Sequence, residues 1–138
     1  MKNIFAPGDK KTFERTVRPE DCAVFDSQAV HPVYATFGLT RDAEWSSRLF
    51  VLDMKEENEE GIGIFVEVVH QAPALLGETV HFEATLDELS GHALTCSFVA
   101  RVGNRIIATG KTGQKVLLKT KLDELFNRLQ SRSETENK

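Results

Sequence analysis

The sequence predicts an α+β fold in which one long central helix is wrapped by a curved antiparallel β-sheet. Three observations carry this reading. The stretch Tyr34 to Met54, YATFGLTRDAEWSSRLFVLDM, is the one long helix-like run in the interior of the chain. Nearly everything from Gly61 to Leu118 reads as β-strand. The strand-like runs are separated by tight turns and not by helices, which gives an antiparallel meander and excludes βαβ units.

Taken in order, residues 1–11 form a loose lead-in with Pro7, Gly8 and three lysines. Thr12 to Val17 (TFERTV) alternates as a first strand, and Arg18-Pro19-Glu20-Asp21 signals a turn. From Cys22 to Val33 the pattern is mixed. Pro32 argues against a helix there, so a lid or crossover loop is expected. The helix should begin near Thr36, whose hydroxyl suits a cap. Phe37, Leu39, Trp45, Leu49, Phe50 and Leu52 are expected to supply its burial, and Arg41, Asp42, Arg48 and Asp53 its charge. The run EENEE at 56–60 ends it as a solvated connector.

Gly61 to Gln71 (GIGIFVEVVHQ) is dense in β-branched residues. Thr79 to Leu89 then alternates, with Val80, Phe82, Ala84 and Leu86 on one face. Ser90-Gly91 and Gly103-Asn104 fit hairpin turns on either side of His92 to Val102, and Arg105 to Leu118 makes a last long strand. Leu122, Leu125, Phe126 and Leu129 suggest a short amphipathic helix, followed by a polar tail over about 131–138. A chain of 138 residues fits one domain over 1–138.

Composition excludes several classes of function. A net charge of −4 argues against a nucleic-acid footprint. No run approaches the roughly 18 apolar residues of a membrane span. The opening MKNIFAPGDKK lacks an apolar signal core, so a cytoplasmic setting is expected. Cys22 and Cys96 lie far apart, without metal-ligand spacing, and read as small hydrophobes in a reducing compartment. No metal or redox cofactor is indicated.

Four residues stand out. Glu44 sits in a helical row, Phe37, Thr40, Glu44, Ser47, Val51, whose other members are uncharged. Arg41 and Arg48 flank it at i−3 and i+4, so an exposed ion pair is the competing reading. His70 ends an apolar strand directly before a turn containing Pro and Gly, a common place for site residues. His31, His81 and His92 read as loop or surface residues. Gly63 inside a strand marks a bulge or a close backbone approach. Thr36 opens the helix.

The pieces Val33-Tyr34-Ala35-Thr36, Glu44-Trp45 eight residues after the Thr, Gly63, Val69-His70 and Ala108-Thr109-Gly110 stand in an order and spacing that resembles the hotdog-fold acyl-CoA thioesterases. Within them the chain is similar to the fluoroacetyl-CoA thioesterase-like group, over roughly residues 10–130. The resemblance implies a dimeric hotdog, possible pairing into a higher homo-oligomer, and an acyl-CoA site at the dimer interface. It implies a site of Thr36, Glu44 and His70. Glu44 would attack the thioester or act as general base for water, His70 would shuttle the proton and pair with Glu44, and Thr36 would orient water or carboxylate or, as the less favoured alternative, act as the nucleophile. The backbone N–H at Gly63 is the candidate oxyanion donor. The sequence leaves the covalent and general-base routes both open, and the acyl group undetermined. One departure concerns Gln114: the group often carries His or Arg around this stretch, so fluoroacetyl-CoA itself is in doubt. Lys111 and Lys115 read more simply as surface lysines than as CoA-phosphate contacts. Two alternatives stand beside the thioesterase: a non-catalytic acyl-CoA-binding module, and a hydratase or dehydratase, whose Asp/His pair is not found.

Overall fold

The computed structural model describes residues 1–25 and 28–136. Strand β1 (Lys10–Thr16) leads through a 3₁₀ turn (Pro19–Asp21) into a two-stranded ribbon, β2 (Cys22–Phe25) and β3 (Gln28–Tyr34). Helix α1 (Thr36–Met54) follows, then β4 (Glu59–His70), β5 (Thr79–Ser90), β6 (Ala93–Val102), β7 (Arg105–Leu118) and helix α2 (Lys119–Glu136). The main sheet has the order β1-β5-β6-β7-β4, every neighbour antiparallel. Gly91 and Gly103 supply the positive φ that the two hairpin turns need, at +59° and +57°.

Helix α1 lies across one face of this sheet. The alternation read in the sequence decides that face: Val80, Phe82, Ala84 and Leu86 from β5 and Leu94, Cys96, Phe98 and Ala100 from β6 are all buried. Leu39 and Ala43 meet Val80, Phe82, Phe98 and Ala108 at one end, while Phe50, Val51 and Met54 meet Ala84, Leu86, Leu94 and Val116 at the other. Each large apolar side chain so enclosed contributes about 1.5–3 kcal/mol.

Several expectations are corrected here. The segment 22–33 is no lid or crossover loop but the β2–β3 ribbon, apart from residues 26 and 27, which lie outside the described residues. Pro32 excludes a helix but is compatible with a two-stranded ribbon, where strand edges tolerate it. The end of β3 is held on its other side too, by Tyr34 N–H to Ala74 O and Leu76 N–H to Pro32 O. Helix α1 starts at Thr36 as expected, yet its N-cap is Ala35, and no side chain caps it. Phe37, Trp45 and Leu52 do not face the sheet; they are 57%, 41% and 39% exposed. The face that packs carries small residues instead, Gly38, Ala43, Ser46 and Ser47, all buried, which let the helix approach the strands closely. The polar segment after Leu129 is helical through Glu136, since no Gly or Pro interrupts it; residues 137 and 138 lie outside the described residues.

Candidate functional site

Glu44 is half-buried on the side of α1 that faces β4. Its carboxylate fills the space where a side chain would stand on Gly63: a Cβ there would collide with Glu44 Oε1. Any larger residue at 63 would displace the carboxylate. Among the described residues, no hydrogen bond or ion pair reaches that carboxylate. Arg48, expected as its competing partner, turns instead to Glu60 (3.2 Å) and the main-chain oxygen of Gly61 (3.2 Å), while Arg41 turns to Asp21 and Asp42.

The ladder between β4 and β7 slips at this point. Gly63 pairs with Gln114 but Phe65 pairs with Gly113, so Ile64 is the extra residue of a β-bulge. Such bulges leave a residue unpaired and re-aim the strand. The consequence reaches His70. Gly63 and His70 are seven residues apart, and in an unbroken strand they would point to opposite faces. The inserted residue resets the alternation: the partners of Gly63 and His70 are Gln114 and Ala108, which share one face of β7. Both residues therefore face the helix layer.

At the far end of β4, the Thr36 Oγ1 and His70 Nδ1 atoms stand 3.4 Å apart. A cleft of about 310 Å³ opens there, lined by Ala23, Val33, Tyr34, Ala35, Thr36, Phe37 and His70. Thr36 and His70 are thus brought together, as are Glu44 and Gly63, but the two pairs are not brought to each other. Gly63 and His70 stand about 20 Å apart along β4 at ~3.3 Å per residue. Along α1, Thr36 and Glu44 are about 12 Å apart at ~1.5 Å per residue. Within one chain, Glu44 does not face His70.

One cluster near the site escaped the sequence reading. Asp21, which the sequence places in a turn, and Asp42, which it counts among the helix charges, are buried at 0% and 1% exposure. Asp42 accepts from Arg15 Nε (3.1 Å), from Arg41 Nη2 (2.9 Å) and from the Tyr34 hydroxyl. Asp21 accepts from Arg18 Nε (2.9 Å) and Arg41 Nη2 (2.8 Å). Burial alone would raise the carboxyl of Asp21 and of Asp42, but the guanidinium hydrogen bonds overrule it and hold both below the usual carboxylate range. Burial and the Asp42 charge push the Tyr34 phenol far up, so it stays a donor. With Ala35 N–H bonded to Asp21 O at 2.8 Å, this network fixes the turn that presents Thr36. Only the spacing of Tyr34, Asp42 and the flanking arginines could have signalled it.

Lys111 and Lys115 are exposed on β7. Among the described residues no three His, Cys, Asp or Glu side chains cluster in a way that could hold a metal ion. No described helix is long and apolar enough to cross a membrane.

Comparison with known proteins adds a family and a fold. The family model for FlK, the fluoroacetyl-CoA-specific thioesterase, matches residues 17–120. The Thermus thermophilus hypothetical protein TTHA0967, a thioesterase superfamily member, is 36% identical, with a TM-score of 0.90 over 96% of this chain and 98% of that one. The fluoroacetyl-CoA thioesterase FlK is 23% identical, with a TM-score of 0.81 over 90% and 96% of the two chains. A single-residue variant of FlK in complex with fluoroacetate and CoA is 24% identical, with a TM-score of 0.78 over 86% and 99%. At these identities the two FlK structures speak for the fold alone. No protein of curated function matches the chain by sequence.

Proposed function

The chain belongs to the fluoroacetyl-CoA-specific thioesterase family and is a hotdog-fold thioester hydrolase, and from that membership we propose that it hydrolyses a small acyl-CoA at a site shared between two copies, built from Thr36, Glu44, Gly63 and His70. The observation that carries this reading is the division of those residues into two pairs, Glu44 over Gly63 within β4 and Thr36 with His70 at its end.

Strand β4 is one of the two edges of the sheet, twelve residues long, and it exposes Ile64, Phe65 and Val69. A long apolar edge of this kind invites pairing with another strand. Antiparallel pairing with the same strand of a second copy, centred between Val66 and Glu67, sets Gly63 opposite His70 of the partner subunit. Paired strands lie about 4.8 Å apart, so Glu44 then stands within reach of that imidazole and of the hydroxyl bonded to it. The symmetry creates two such sites per dimer.

Each residue then has a task. Glu44, a carboxylate that no cation pairs with among the described residues, attacks the thioester carbonyl or draws a proton from water. His70 of the partner subunit protonates the leaving thiolate, with its ring orientation fixed by Thr36. The bulge at Gly63 and Ile64 interrupts the backbone ladder where the thioester oxygen needs N–H donors, and the missing side chain at Gly63 lets the substrate approach. The CoA thioester is the substrate, and no resident cofactor is invoked.

Thiol release measured over short, branched and aromatic acyl-CoAs tests this. Turnover of at least one small acyl-CoA above the buffer rate is expected; a flat response across the panel rejects the reading. Gly63→Ala is a second test. The added methyl group forces the Glu44 carboxylate aside, so kcat/KM should fall roughly 10- to 100-fold, the usual cost of misplacing a reacting group by about 1 Å. The folded state should persist, because the displaced atoms are the mobile end of a side chain. Full activity in Gly63→Ala would mean that the carboxylate does not work from this position.

A further inference from the structure

Two buried oxygens in this protein make no hydrogen bond among the described residues: Gln114 Oε1 and Thr112 Oγ1. Both residues are 1% exposed. Folded chains hold few such groups, because an unpaired buried acceptor is costly. These two are neighbours. They lie two residues apart on β7 and so share a face, the one α1 covers, as the next residue of the row, Val116, packs against Phe50 and Met54. Gln114 is also the ladder partner of Gly63, over which the Glu44 carboxylate lies. Its amide Nε2 donates to the main-chain oxygen of Glu44 at 3.4 Å. The donor end of the amide is thus tied to the Glu44 main chain, and the buried acceptor end makes no hydrogen bond among the described residues.

A neutral acceptor offers nothing to a carboxylate, since neither has a hydrogen to share. It offers a hydrogen bond to a carboxyl group. We infer that Gln114 is a positioning residue for the chemical step, its Oε1 accepting the hydrogen bond of Glu44 once that carboxylate has taken a proton, with the Thr112 hydroxyl completing the neutral floor. This rests on the hydrolase reading above, and within it selects the general-base route. One O–H bond of the attacking water breaks and its proton passes to Glu44. The water oxygen bonds to the thioester carbon, the C–S bond breaks with its electron pair on sulfur, and the thiolate takes its proton from His70 of the partner subunit. The proton held by Glu44 is released in turn, restoring the carboxylate. The hydrogen bond to Gln114 exists only while Glu44 is protonated. It is absent in the resting state and present as the transition state develops, which is the condition for an interaction to raise kcat rather than tighten binding.

The test uses the full chain with the two closest apolar replacements, Gln114→Met and Thr112→Val, assayed on the best acyl-CoA substrate with thermal melts alongside. If the two oxygens were merely structural, removing an unpaired buried polar group would leave kcat alone and keep or raise Tm. The inference expects kcat to fall about tenfold in Gln114→Met and several-fold in Thr112→Val, with KM unchanged and Tm equal or higher. A kcat within twofold of wild type in both variants overturns it, as does a rise in KM at constant kcat. Should Gln114→Met lose its fold with its amide anchor, Thr112→Val decides alone. Absence of turnover in the wild type across the acyl-CoA panel defeats the hydrolase reading itself, and this inference with it.

Discussion

Mixing Glu44→Ala protein with His70→Ala protein is expected to restore about a quarter of wild-type thioester hydrolysis, the share that random pairing gives to one intact site in half of the dimers. Each variant alone should be down by roughly 10²-fold or more, the usual contribution of a positioned acid or base. In one chain, Glu44 stands over Gly63 while His70 sits with Thr36 at the end of β4. A mixed dimer built on the β4 edge carries both lesions in one site and neither in the other, so one site works. A site confined to one chain could never be repaired this way, since every chain in the mixture lacks one of its members. The experiment needs subunit exchange, by co-expression or joint refolding, and a check of the mixed species by mass. A mixture that contains mixed dimers and yet is no more active than its parts would refute the shared site.

The frame of the fold was legible because it rests on local pattern. Alternation fixed the buried faces of β5 and β6, and the turn pairs at Gly91 and Gly103 fixed their connections. The helix bounds followed from one continuous run. Which side of α1 packs was not legible, because apolar residues occur all round it. The sheet took the stripe of small residues, leaving Trp45 and Phe37 outside. The β2–β3 ribbon is not legible because β2 spans only four residues and β3 carries a proline. At the site, the sequence singled out Thr36, Glu44, Gly63 and His70 without showing that they form two separate pairs. Neither the bulge at Ile64, which turns His70 to the face of Gly63, nor the distance between the pairs can be read from spacing alone, because both depend on the register with β7. Asp42 reads as an ordinary helix charge for a similar reason: its partners come from β1, the end of β3 and α1 itself.

Asp42→Asn is expected to lower unfolding free energy at neutral pH by about 3–5 kcal/mol, the cost of breaking a buried ion pair by removing one member. Arg15 and Arg41 would face a neutral amide, and the Tyr34 hydroxyl would lose the carboxylate that now fills its hydrogen bond. The pH dependence follows from the depressed carboxyl groups of Asp42 and Asp21. A group titrating lower in the folded state than in the unfolded chain stabilises fully above its unfolded value, about 3.9 for Asp, and that contribution drains away as pH falls through the folded value. The gap between wild type and Asp42→Asn should therefore be widest near neutrality and close in strong acid. Arg41 bridges both aspartates, so Asp21→Asn and Asp42→Asn should combine non-additively. Denaturant melts of the single and double variants across pH measure all three quantities. A neutral-pH difference under about 0.5 kcal/mol, the scatter of ordinary surface changes, would show that the network orders the turn before Thr36 without stabilising the fold. If the expected loss is found, hydrolysis should fall with it, because the same network fixes the turn from which Thr36 reaches His70.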